Sequence, residues 1–248
     1  MIDYLTSYQF GFYAPDTHKE PEPEIIGRLL DAFKGKGFIP TTGRELEIVT
    51  EPSLRSKTRL ELQMISPDQE WNLAFERHRL LLKKQNVPGT EMGSADDFRK
   101  ETEEVFRLLL DAVPFSGTRL SFASKGLLSE MSPEKLAEVN KRIFNSIPFY
   151  AQNLAHQWTT RNVARVDVSI GERTETLNVI TDINRVQGTI QRDGEPVPFD
   201  RIEIAFDINT YQENTDQRFG VGDIGFFLKV AVEKSKEILK EIEKHLNE

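Results

Sequence analysis

The chain of 248 residues carries 32 basic and 40 acidic side chains, a net charge of −8, with 38% hydrophobic residues and no cysteine. This is the balance of a folded protein rather than a disordered one. The missing cysteines exclude disulfides, thiolate metal sites, iron–sulfur clusters and a cysteine nucleophile.

Met1-Ile2-Asp3-Tyr4-Leu5 has an early acid and neither a basic nor an apolar leader segment, so no signal peptide is expected. No run approaches the ~18 apolar residues of a membrane span. The cytoplasm is the expected compartment, and no membrane partner is expected. The acidity is spread evenly over the chain, so nucleic acid, which needs a neutralising basic surface, is not an expected partner.

The aromatic-rich stretch 4–13 reads as a strand, broken by Pro15-Asp16 and Pro21-Glu22-Pro23. A helix follows from about Pro23 to Lys34, with Ile25, Ile26, Leu29, Leu30 and Phe33 on one face and Gly35 and Gly37 as its stop. Four strands come next, around Leu46 and Ile48, Leu60 to Met64, Trp71 to Phe75, and Leu80 and Leu82. Their alternation gives each one buried and one wet face, as in an antiparallel sheet covered on one side. Ser94, with Asp97 three residues on, opens a second helix over about 95–113, which Pro114 ends.

The order then recurs. Leu120 and Phe122 mark a strand, and Ser132-Pro133-Glu134 starts a helix. Strands are predicted over 153–160, 163–170, 175–183, 186–192 and 201–209, with Asp193-Gly194 as a hairpin turn. A long helix from about Asp223 to Leu246 closes the chain. The pattern predicts an α+β fold of two tandem strand–helix–antiparallel sheet–helix lobes, 1–116 and 117–248, packed as one unit. A helix gripped by a curved sheet in each lobe, paired as in the saddle of the TATA-binding protein, is the expected arrangement.

Motifs for chemistry are sparse. His18, His78, His156 and His245 have no partner at ligand spacing, and no phosphate-binding loop, dinucleotide-binding turn or nucleophile elbow occurs. His156 and Trp158, two apart, are expected on one strand face. Gly220-Val221-Gly222 precedes the last helix, whose N-terminus is able to hold an anion. Two copies of Asp-Ile-Asn set Asp182 and Asn184, and Asp207 and Asn209, on one side of their strands, a weak candidate for a hard-cation site. Between Arg142 and Lys229 there is no lysine, only arginine. Guanidinium forks suit carboxylate or phosphate recognition, and they equally suit cross-strand pairing with acids. Arg161, Arg165, Arg185, Arg192 and Arg201 are the candidate anion-binding residues.

Several segments carry a family resemblance: Trp71-Asn72-Leu73-Ala74-Phe75 followed by Arg79-Leu80-Leu81-Leu82, then Phe98, Arg119-Leu120-Ser121-Phe122 and Asp207-Ile208-Asn209-Thr210-Tyr211. In order and spacing these resemble a sporadically distributed, uncharacterised bacterial family of duplicated α+β proteins of about this length. Where that family continues its mid-chain strand into a Tyr-Ile-Asn-like segment, this chain has Ala123-Ser124-Lys125-Gly126. The resemblance implies an accessory component of bacterial mobile or defence loci.

No catalytic residue and no cofactor site is assignable. The expected function is a non-enzymatic protein-interaction component, possible in an antiviral defence or toxin–antitoxin setting, acting on a partner protein or as a homo-oligomer. The alternative is a sensor holding a small anionic, nucleotide-like ligand on the arginine-bearing second sheet. A third reading is a metal-assisted hydrolase using the two Asp-Ile-Asn segments.

Overall fold

The computed structural model describes residues 2–49, 55–144, 147–153, 155–192 and 195–247. Alternation along β1 (Ile2–Tyr13) places Tyr8, Phe10 and Phe12 on one side, where all three are buried. The elements that follow are α1 (Pro23–Ala32), β2 (Ile39–Val49), β3 (Arg55–Ile65), β4 (Trp71–Glu76), β5 (Arg79–Gln85) and α2 (Ala95–Ala112). Then come β6 (Arg119–Leu128), α3 (Pro133–Phe144), α4 (Pro148–Gln152), β7 (Trp158–Ile170), β8 (Arg173–Arg192), β9 (Glu195–Thr210) and α5 (Val221–Asn247). Proline at the first turn sets φ for α1 and α4 without losing an internal hydrogen bond. At α2, Ser94 and Asp97 form a reciprocal capping box.

The two-lobe expectation is corrected by the sheet. Among the described residues, all nine strands join one antiparallel sheet in the order β2-β3-β4-β5-β1-β6-β9-β8-β7. Its centre is the β1–β6 pair, one strand from each expected lobe, which aligns Phe10 with Phe122 and Phe12 with Leu120. The main core is equally undivided: Phe10 and Phe106 share it with Val179, Ile208 and Phe227. Phe10 meets the Phe106 ring edge-on at 4.8 Å and lies 6.3 Å from that of Phe227. With α2 and α5 packed on each other over the sheet centre, the main core draws on both halves, and only a smaller cluster has its buried residues in the second half alone.

Local corrections follow the same logic. The strands expected over 153–160 and 163–170 are one strand, β7, preceded by the short helix α4. Those expected at 175–183 and 186–192 form one 20-residue strand, β8. Asp193-Gly194 lies outside the described residues, and β8 and β9 pair as far as Arg192 with Glu195.

All apolar helix faces pack on one side of the sheet. There α1, α2 and α5 cover Leu62, Leu73, Leu80 and Phe122, and a smaller cluster joins α3 and the end of α5 to Ile202, Ile204 and Phe206. No helix among the described residues is long and apolar enough to cross a membrane.

Candidate functional site

With every helix on one side, the other side of the sheet is left to strand side chains. Register fixes which residues share it. One row across the strands is Gln63, Ala74, Leu81, Gly11, Ser121, Asn209, Asn178 and Arg165. The next is Ile65, Asn72, Lys83, Gln9, Ala123, Asp207, Ile180 and Val163. The middle is built from small residues, Gly11, Ala74, Ala123 and Ala205. Val163, on the edge strand β7, is 59% exposed.

Towards one end of this face the side chains stack. Glu76 bonds the Arg79 Nε at 2.7 Å, and Arg79 lies over the Tyr13 ring with its guanidinium carbon 5.6 Å from the centroid. Arg119 lies on the same ring from β6, at 4.8 Å. Beyond it Arg165 lies over Tyr211 at 4.7 Å. Tyr211 continues the ladder past β9, donating its N–H to the Thr176 carbonyl at 2.9 Å. Its hydrogen bond with Glu213 pushes the Tyr211 phenol above its usual range. Gly11 makes room for this arrangement: a Cβ there would stand 2.6 Å from the Ser121 hydroxyl and 3.1 Å from both Arg79 and Tyr13. Each guanidinium–ring contact at an exposed site contributes about 0.5–1 kcal/mol.

The cations of this strip differ in what neutralises them. Arg79 has Glu76. Arg165 bonds the Asn178 amide oxygen at 3.2 Å and the Tyr211 phenol, with no ion pair among the described residues. Arg119 has no carboxylate partner among the described residues, and its buried Nε has no hydrogen-bond partner. Sequence reasoning missed Tyr13, Arg79, Arg119 and Tyr211, because strands far apart in the chain bring them together.

The five candidate arginines do not converge. Arg161 and Arg165 lie on the helix-free face, where Arg161 pairs with Asp182 at 2.7 Å. Arg185 is on the opposite face and forks onto both oxygens of Asp200, at 3.0 and 2.8 Å. That pairing holds the Asp200 carboxyl below its usual range. Arg201 is 2% exposed and is held by Asp3 at 2.9 Å and Glu130 at 2.5 Å. Burial opposes its charge, and the two carboxylates outweigh that and raise its pKa. The Arg192 side chain lies outside the described residues. Beyond these five, Arg218 forks onto Glu175 at 2.8 and 2.9 Å, and Arg173 pairs with Asp223 at 2.6 Å. Buried and half-buried forks of this kind account for much of the lysine-free stretch, since a guanidinium keeps its charge and geometry in them where an ammonium would not.

Asp182, Asn184, Asp207 and Asn209 do share the helix-free face on adjacent strands; protein groups bond part of each, while Asp182 Oδ1 and Asn184 Oδ1 are buried without a hydrogen-bond partner. Asn209 donates to Asp207 at 3.0 Å and accepts from Asn178 at 3.2 Å, while Asn184 donates to Glu203 at 3.0 Å. Among the described residues no group of three or more His, Asp or Glu is placed to hold a metal ion. His156 precedes β7 rather than sharing a strand with Trp158, which turns to the helix side and meets Phe144 edge-on at 5.7 Å. At the start of α5, the Asp223 carboxylate itself accepts the Gly220 N–H at 2.9 Å.

No known protein family matches the sequence, and no curated protein does. Among solved structures, the crystal structure of the di-domain ARO/CYC StfQ from the steffimycin biosynthetic pathway aligns with 93% of this chain and 94% of that one. At 7% identity and a TM-score of 0.18 it carries neither fold nor function across.

Proposed function

We propose that the protein is a non-enzymatic interaction component that holds a partner protein against the helix-free face of its sheet. The observation that carries this reading is the asymmetry of the sheet: nine strands, every apolar helix face on one side, and a mixed polar and apolar surface on the other. Eight inter-strand spacings of about 4.8 Å and a paired length of about six residues give a face on the order of 800 Å². That is about what each partner contributes to a standard protein interface. Small residues at its middle let a partner approach the backbone, and the rim supplies charge and hydrogen bonds, as interfaces do.

A sensor for a small anion on the five candidate arginines has less behind it. Arg185 and Arg201 are forked onto carboxylates, and Arg185 faces away from Arg161 and Arg165. The resemblance to accessory proteins of bacterial mobile and defence loci directs the search for the partner to neighbouring genes.

The test is calorimetric titration of a neighbouring gene product into the wild-type protein, Ala123→Arg and Phe226→Arg. Ala123 lies mid-face, and Phe226, 56% exposed on α5, lies on the helix side. Binding is expected to weaken at least about tenfold in Ala123→Arg, since an unmatched buried charge is costly, and to be unchanged in Phe226→Arg. The opposite pattern would overturn the proposal.

A further inference from the structure

We infer that the strip Arg79–Tyr13–Arg119 and Tyr211–Arg165 is a docking site for an extended acidic segment of a partner protein, with Arg119 and Arg165 as the carboxylate-binding residues. This rests on the reading of the helix-free face as the interaction surface and gives that surface its chemical preference.

The argument begins with charge. The protein is acidic overall, at −8, and Arg161, Arg173, Arg185, Arg201 and Arg218 of its second half are paired with its own carboxylates. Arg119 and Arg165 depart from this: both lie on the helix-free face, and among the described residues neither is ion-paired to a carboxylate. Each is nevertheless held in place, by Tyr13 and by Tyr211. A guanidinium laid on a ring keeps its fork of N–H donors pointed outward, so less freedom is lost when a carboxylate arrives. Gly11 is needed for that posture, because a side chain there would push into Ser121, Arg79 and Tyr13 at once.

The shape of the site decides the class of ligand. The strip lies on an open sheet face, whereas small-molecule sites enclose most of their ligand. These two guanidiniums belong to β6 and β7, with β9 and β8 between them, so their strands stand about 14 Å apart at 4.8 Å per spacing. An extended chain with alternate acidic side chains presents carboxylates about 7 Å apart on one face, and it spans that distance in a few residues. The net negative charge of the protein does not forbid this, because repulsion from charges elsewhere is screened beyond about 8 Å at physiological salt.

The experiment measures fluorescence anisotropy of a labelled peptide of alternating Glu and Thr, beside the same peptide with Gln or Lys for Glu. The protein is titrated as wild type, Arg119→Gln/Arg165→Gln, Gly11→Ala, Ala123→Arg and the helix-side control Phe226→Arg, each checked for an unchanged melting transition. The wild type is expected to bind the Glu peptide at least about tenfold more tightly than the Gln peptide. The double variant is expected to lose that preference, and Gly11→Ala, where it folds, to weaken it. Equal affinity for Glu and Gln peptides, or an unaffected double variant, overturns the inference. Binding that survives the double variant but is lost in Ala123→Arg would remove the strip and leave the face. Binding lost only in Phe226→Arg would remove the face as well. Inorganic phosphate as a competitor separates the remaining case: displacement of the peptide at sub-millimolar phosphate, dependent on Arg119 and Arg165, would make this a small-anion site and overturn the assignment to a protein segment.

Discussion

Arg201 offers a test in which the order of effects is the reverse of what exposure suggests. The guanidinium is 2% exposed, while its partners Asp3 and Glu130 are 49% and 66% exposed. Removing Arg201 leaves two carboxylates that water can reach, whereas removing the two carboxylates leaves a cation with no counter-charge in the protein. Breaking a buried pair so that one charge is stranded costs about 3–5 kcal/mol, while replacing the ionic group by an apolar one of similar volume is often close to neutral. Water can approach this site through the exposed acids, so the lower end applies. Asp3→Asn/Glu130→Gln is expected to cost about 3 kcal/mol, which for a chain of this length lowers Tm by about 6–12 °C. Arg201→Met is expected to remain within about 1 kcal/mol of wild type. Urea unfolding and calorimetry on the two variants measure both quantities. If Arg201→Met proves the more damaging, or if phosphate stabilises the wild type as well as the acid-free variant, Arg201 is not the internal structural cation described here.

Three other predictions follow from the packing and charge. Burial pushes the Tyr8 phenol up to about 12 from an ordinary value near 10. The folded state therefore holds its proton where the unfolded chain has lost it, so stability is whole below pH 10 and falls by roughly 2–3 kcal/mol as pH rises to 12. Tyr8→Phe should flatten that limb in alkaline melts, and an unchanged slope would show that other groups carry it. Deleting residues 233–248 removes Leu246, which is 1% exposed in the second core cluster, along with Ile238 and Ile242. The truncated chain is expected to aggregate, and a soluble, cooperatively melting product would contradict this packing. Asp182→Ala/Asp207→Ala is expected to cost no more than about 1 kcal/mol, as for exposed pairs, with no change in Tm on EDTA dialysis. A fall restored by Ca²⁺ or Mg²⁺ would revive a cation site there.

What the sequence disclosed was local chemistry. Pro23, the Ser94–Asp97 box and Pro133 act on their own backbone neighbours, and helices begin at each. β8 was harder, because Asn184 and Arg185 look like a break between two strands. Their side chains instead hold β9, through Glu203 and Asp200, and the strand runs on. Strand order was beyond reach: nothing in residues 2–13 or 119–128 says that these two strands pair with each other and join the strands on either side into one sheet. The site was hidden for the same reason. The lysine-free run was visible, and it led to Arg185 and Arg201, which the fold uses internally. Arg119 stood only within a segment of the family resemblance, with no role attached, because only the β1–β6 pairing brings it to Tyr13.

The central claim, that a partner lies on the helix-free face, is tested most directly by methyl NMR of alanine-labelled protein titrated with the neighbouring gene product. Ala123 and Ala205 report from that face, and Ala95 and Ala112 from α2 on the other side. The account predicts that the Ala123 and Ala205 methyls shift and broaden while those of Ala95 and Ala112 stay in place. Shifts confined to Ala95 and Ala112, with Ala123 and Ala205 unmoved at saturation, would contradict it.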